Sequence, residues 1–224
     1  MSRANSRGLR EAGSGNSRQG LSCPPALAQI FLAQALPSFA ARYPLVRVQV
    51  SILNRPVDLI EERIDVALRA RSNLQADPNL MMRVFGRGRS ILVASRAFVA
   101  GRGPVTIATL SRLPALSPRD DARDTWQLVG PDAVAVDIPI EARIACIDFK
   151  VLLSAACAGL GVALLPEYVC EKTLRSQYLV RVMPEWFAPE VTLHMVFTAR
   201  RGLPPAVRAF IDHVAASQWG APPL

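Results

Sequence analysis

Residues 148–166 join a helical pattern to a buried strand across two glycines, and that junction is the strongest constraint in the chain. Phe149, Leu152, Leu153 and Ala156 recur at helical spacing, so one face of this segment must pack inward. Asp148 precedes it, where a carboxylate caps free N–H groups and meets the positive end of the helix dipole. Gly159 and Gly161 are able to take the left-handed conformation that closes a helix. Val162 to Leu164 then reads as a short buried strand, ended by Pro166. A helix N-terminus beside a strand end is also a ready site for a small anion.

The same alternation runs through the rest of the chain. Leu27, Ile30, Phe31, Leu32, Ala35, Leu36 and Phe39 make a broad helical face; Pro24 and Pro25 suit its first turn, and Ser22 is placed to cap it. Pro37 lies inside this pattern and should bend or loosen the helix. Val46 to Ile52 alternates as a strand, Val57 to Arg63 reads as a short helix, and Ile64 to Leu68 as a buried strand. This β–α–β–α–β order implies a parallel sheet with helical cover. Leu80 to Phe85 and Ser90 to Ala94 then form a strand pair leading into a second lobe. Strands in that lobe are expected around Ala115, Trp126 to Val129, Val134 to Cys146, Val162 to Leu164 and Leu179 to Val182. Val191 to Ala199 returns the chain, and Val207, Phe210, Ile211 and Val214 mark a last helix.

With 224 residues and 50% apolar composition, the chain has enough material for one substantial domain or two small lobes. It contains no apolar run of transmembrane length, and its Ser/Arg/Gly-rich start lacks the apolar stretch of a secretory signal. A cytoplasmic protein with no membrane partner is therefore expected. Residues 1–20 carry no periodicity and are expected to be a disordered tail. The net charge of +8 comes almost wholly from scattered arginines, without the aromatic interleaving of a nucleic-acid surface. Cys23, Cys146, Cys157 and Cys170 lack metal-ligand spacing and read as reduced, buried small hydrophobes. His194 and His213 sit in or near apolar periodic segments and read as structural. No metal or other cofactor is expected.

Open α/β lobes bind ligands at the carboxyl ends of their strands. The residues falling there are Ser22 and Cys23 before the first helix, Ile52 and Asn54 after the alternating strand, and Arg69 after the next. Ser95 is placed at the crossover between lobes, Ser117 and Arg119 follow a second-lobe strand, and Ile147, Asp148 and Phe149 open the long helix. Hydroxyls, helix N–H groups and an arginine beside Phe149 and Ile52 suit a small organic anion. Each also has a plainer reading: Ser22 as a cap, Arg69 as a solvated side chain, Asp148 as a cap that would repel an anion. Enzymatic readings find little support. Ser95, Ser117 and Ser154 lack a glycine-flanked elbow, Cys157 lies mid-helix, and the Gly86–Arg89 pair of glycines has no following helix. Asp120 and Asp121, near Asp124, have no companion histidine and read as a solvated loop.

Residues 148–166 resemble a segment of the effector domain of LysR-type transcriptional regulators. Leu21–Leu27 with Leu36–Phe39 and Arg42–Pro44 resemble the family's opening strand, first helix and exit; Asn54–Ile60 and Arg63–Arg69 resemble its next helix and strand. Ile91–Ser95 is similar to its crossover, and Leu179–Val182 and Leu203–Asp212 to its closing elements. The match covers residues 21–216. It implies an α/β, two-lobed, periplasmic-binding-protein-like (type 2) effector domain with a two-strand hinge. The first lobe would comprise 21–94 and 190–224, and the second 95–189. It further implies a small-molecule effector held between the lobes, contacted at the first-helix junction and at Ile147–Phe149. Homodimers or tetramers would assemble side by side, and the protein would not be an enzyme. Where many members carry Asn before the aspartate, this chain has Ile147, which favours a more apolar ligand. The family's winged helix-turn-helix should precede residue 21, and residues 1–20 cannot supply it, so DNA would be reached only through a domain absent from this chain. A transporter's solute-binding protein would share the architecture but would need export, and a small-molecule enzyme on the same scaffold would show turnover.

Overall fold

The computed structural model describes residues 18–74, 78–119, 121–198 and 202–217; the expected tail falls outside these up to residue 17. The chain forms two compact units, one of Met1–Arg87 with Thr192–Leu224 and one of Gly88–Val191.

In the first unit, β1 (Arg18–Cys23), β2 (Arg47–Ile52), β3 (Val66–Arg71), β4 (Leu80–Gly88) and β11 (Val191–Thr198) build one sheet in the order β2-β1-β3-β11-β4. β1 pairs in parallel with β2 and β3, as the alternation implied, while β11 runs antiparallel to β3. The strand β1 starts at Arg18, inside the expected tail, because Arg18 to Gly20 pair with Arg47 to Gln49 and Gly20 docks on the turn before β3. Gly20 donates its N–H to Asp65 Oδ2 at 2.7 Å, and Asp65 returns its own N–H to the Gly20 carbonyl at 2.8 Å.

The first helix, α1, opens at Pro25–Leu27, widens into a π turn over Ala28–Leu32 and continues as Ala33–Arg42. Its N-cap is Pro24, and Ser22 lies inside β1, so the expected capping role of Ser22 is not made. Pro37 stays within the helix and cannot donate to the Ala33 carbonyl; the π turn lies just before that point. Phe39 packs edge-on against Phe210 of the last helix, α6 (Pro205–Ala216), with ring centroids 5.3 Å apart and both rings wholly buried.

Val57–Arg63 is not the expected helix. Asp58 Oδ1 accepts from the N–H groups of Ile60 and Glu61, and Arg63 at φ 54° turns the chain back after one loop. A segment this short gains too few intrahelical bonds to propagate; burial of Val57, Leu59 and Ile64 fixes it instead.

The second unit holds β5 (Ser90–Ser95), β6 (Ala115–Ser117), β7 (Arg123–Val129), β8 (Ala135–Ala145), β9 (Val162–Pro166) and β10 (Leu179–Arg181), in the order β10-β5-β9-β6-β8-β7. Helices α2 (Arg96–Ala100), α3 (Ile107–Leu110), α4 (Phe149–Cys157) and α5 (Glu167–Arg175) surround it. Of these only α4 was legible beforehand; α2 and α3 are too short for a clear period, and α5 is the most polar.

Leu92, Ala94, Val162 and Leu164 belong to the core on one face of this sheet, and Ile91, Val93, Ala163 and Leu165 to the core on the other. That two-sided burial explains why β5 and β9 read as unbroken apolar runs. β6 is parallel to β8 and β9, and β5 is antiparallel to β9.

The two glycines of the α4–β9 turn have different duties. Gly159 takes φ 74° and closes α4: its N–H donates to Ala156 O at 3.0 Å, and that of Leu160 to Ala155 O at 3.1 Å. Gly161 is needed for close approach, since a Cβ there would lie 2.4 Å from the Pro114 carbonyl oxygen. The same carbonyl accepts the Val162 N–H at 2.9 Å, so it cannot retreat without losing that bond. Gly161→Ala should therefore lower stability by about 1–3 kcal/mol. Urea unfolding would measure it, and an unchanged midpoint would contradict this account.

Candidate functional site

In the first unit, the parallel register brings five of the expected residues to one sheet edge. Ser22 lies opposite Ser51 and Ala67, Cys23 opposite Ile52, and the Leu53 N–H donates to the Cys23 carbonyl at 3.0 Å. Asn54 follows in an exposed bend. Arg69 ends the same edge on β3, and its Nη2 donates to the Val57 carbonyl at 3.3 Å. Ser22 and Cys23 are almost fully buried, whereas Ile52 is 57% exposed. The accessible part of this edge is therefore Ile52, Asn54 and the half-buried Arg69. Burial pushes the Cys23 thiol up to about 12, so it is a neutral, inert group at ordinary pH. Beside Arg69, His194 on β11 is buried; loss of solvent lowers its pKa, and neighbouring Arg69 and Arg71 push the same way.

The second unit gathers Ser117, Arg119, Ile147, Asp148 and Phe149 in the same manner. Ser117 ends β6 beside Ala145 of β8, and its carbonyl accepts the Cys146 N–H at 3.0 Å. The chain then passes Ile147 into α4. Asp148 caps that helix, Oδ1 accepting from Lys150 N at 2.7 Å and Val151 N at 3.4 Å. The capping reading of Asp148 is thus what the geometry realises. Phe149 packs against the core beneath α4 while remaining partly exposed.

Ser95 does not join this group. The chain passes between the units at Arg87 and Gly88, so Ser95 lies beyond the crossover, at the far end of β5. β5 runs antiparallel to β9 and β9 parallel to β6, which puts the end of β5 with the beginnings of those strands, opposite Ser117. There Ser95 caps α2 by accepting the Phe98 N–H at 3.1 Å.

One functional candidate was missed. Asp124 follows the Asp120–Asp121 pair that reads as a solvated loop, yet its own side chain is only 7% exposed. Ser117 Oγ donates to its Oδ2 at 2.7 Å, and Arg119 Nε lies 2.8 Å from its Oδ1, which also accepts the Thr125 N–H at 2.7 Å. The signal was the alternation Asp124, Trp126, Leu128, which puts the carboxylate on the inward face of β7. Asp121 does fit the loop reading, exposed with its Oδ1 accepting the Arg123 N–H; Asp120 lies outside the described residues.

Ser117 itself is wholly buried, so the polar surface this edge offers is Arg119, whose side chain is 67% exposed. A groove on the same unit, lined by Val105, Thr106, Ile107, Met183, Pro184 and Trp186, contains none of these residues.

Two outcomes test this description. Replacing Asp148 with Ala should cost about 1 kcal/mol by freeing two helix donors, read as a lower urea midpoint. Cys23 and Cys170 ionise near about 12 when folded but near 9.0 in the free chain, so the unfolded form loses its protons first. Stability should therefore fall as pH rises from about 9 toward 12, and Cys23→Ala should shallow that fall. An equal fall in the variant would show that burial does not govern this thiol.

Comparison with known proteins identifies the scaffold. The model of the LysR substrate binding domain matches residues 14–219. The HTH-type transcriptional regulator DmlR of Escherichia coli (strain K12) is 30% identical over 187 residues, 81% of this chain and 59% of its own length. An HTH-type transcriptional regulator of Xanthomonas campestris pv. campestris (strain 8004) is 29% identical, covering 84% of this chain and 56% of its own. The chain thus spans somewhat under two thirds of the curated relatives it matches.

Among solved structures, the regulatory domain of AphB in Vibrio vulnificus superposes with a TM-score of 0.76 at 25% identity, over 92% of this chain and 100% of that one. The full-length Vibrio cholerae virulence activator AphB, a member of the LTTR protein family, gives 0.79 at 25% identity, over 93% and 72%. These neighbours carry the two-lobed periplasmic-binding-like fold. With the family model spanning nearly the whole chain, this protein belongs to the LysR substrate-binding-domain family, the effector-binding part of LysR-type transcriptional regulators.

Proposed function

We propose that this chain senses a small organic acid and passes its binding on to a DNA-binding domain outside the sequence given. The observation that carries the reading is the pair of carboxyl edges. Ile52, Asn54 and Arg69 stand at one, and Arg119, Ile147 and Phe149 at the other. Each edge joins an arginine to apolar surface, which is what an acid with a hydrocarbon body requires. The ligand binds where such an arginine and apolar surface adjoin. It shifts the domain's conformational equilibrium only by as much as it binds one state better than another. Ile147 in place of a polar side chain favours a hydrophobic, aromatic acid.

The regulator works in the cytoplasm as a homodimer or tetramer and does not transform its ligand; its relatives are transcriptional regulators. No described helix is long and apolar enough to cross a membrane.

A thermal-shift screen of benzoate, phenylacetate, butyrate and succinate tests the reading. At least one acid should raise the melting temperature without being consumed, and the rise should be lost in Arg119→Ala and reduced in Phe149→Ala. Equal stabilisation of all three proteins would put the ligand elsewhere.

A further inference from the structure

We infer that Asp124 is a positioning residue for ligand recognition: it fixes the Arg119 guanidinium in one orientation for the acidic group of the effector. The inference rests on the site reading given above. The anchor is buried and the anchored group is exposed, 7% against 67% of their side chains. An ordinary surface ion pair joins two mobile side chains and contributes little. Here the carboxylate is immobile, because Ser117 Oγ donates to Oδ2 at 2.7 Å and the Thr125 N–H to Oδ1 at 2.7 Å.

Arg119 meets it through Nε at 2.8 Å, and the Arg119 N–H also reaches Ser117 Oγ at 3.3 Å. Side chain and backbone of Arg119 are thus tied to one buried pair. Its terminal amino groups have no partner among the described residues. Two parallel donors on a fixed plane match a carboxylate. The Asp124–Arg119 pair carries no net charge, so what it offers an acid is geometry.

The Ser117 and Thr125 hydrogen bonds survive in Asp124→Asn if the amide nitrogen faces Ser117, whose hydroxyl then accepts instead of donating, and only the ion pair with Arg119 is lost. Asp124→Ala removes all three. The experiment titrates the wild type, Arg119→Ala, Asp124→Asn and Asp124→Ala with the tightest of benzoate, phenylacetate, butyrate and succinate. It also measures the NMR order parameter at Arg119 Nε without ligand.

The expected results are an ordered Arg119 side chain in the wild type and a mobile one in both Asp124 variants. Affinity should drop about tenfold in each of them. Wild-type affinity or better in either variant, a loss confined to Asp124→Ala, or a mobile Arg119 in the wild type would overturn the inference while leaving the site reading intact. No binding of any of the four acids, or wild-type binding by Arg119→Ala, would overturn both. The wild-type order of Arg119 decides the point even if a variant fails to fold.

Discussion

Burial of the second unit's central strands on both faces governs what else that unit can do. β5 and β9 carry apolar side chains to two separate cores, so along these two strands neither face has room for a polar group. At about 25 cal/mol per Å² of apolar surface removed from water, that double cover holds the unit together. Charged and hydrogen-bonding side chains are displaced to the strand ends. Ser117, Asp124, Arg119 and Asp148 stand there, each with at least one backbone or side-chain partner. The proposed binding edge is thus what an apolar sheet leaves over.

The first unit reaches a similar edge with less room for choice. β1 lies between β2 and β3, and its Cys23 end is sealed by the Leu53 N–H bond and by the opening of α1. Polar groups this deep are structural. Cys23, with its raised pKa, and Ser22 are buried, while Ile52 and Asn54 stay exposed. The structure thereby shifts emphasis from hydroxyl donors to arginines and apolar contacts.

Much of this was readable in the amino acids. Apolar runs gave β5 and β9, the alternation of Val48 and Val50 gave β2, and the capped, glycine-closed pattern gave α4. What failed did so for local reasons. Val57–Arg63 has helix-forming residues but only one turn's length, and Asp58 satisfies its first donors in a tight loop. Helix α5 is amphipathic but polar overall, and Cys170 is its one buried residue, so a nine-residue pattern did not stand out beside its charges. Ser95 was expected at the crossover between lobes, whereas it closes β5, and strand direction decides at which end of the sheet it falls.

By itself, then, the sequence determined that strands would be buried on both faces, that helices would start at Asp148 and end at Gly159, and that arginines would stand near strand ends. Those are consequences of periodicity and of backbone conformation, which act over a few residues. The tertiary structure alone decided which ends share an edge, that Ser95 and Ser117 lie at opposite ends of one sheet, and that Asp124 is buried against Arg119. Those facts depend on whether neighbouring strands run parallel or antiparallel and on contacts between separate elements, neither of which is encoded in any single stretch of chain.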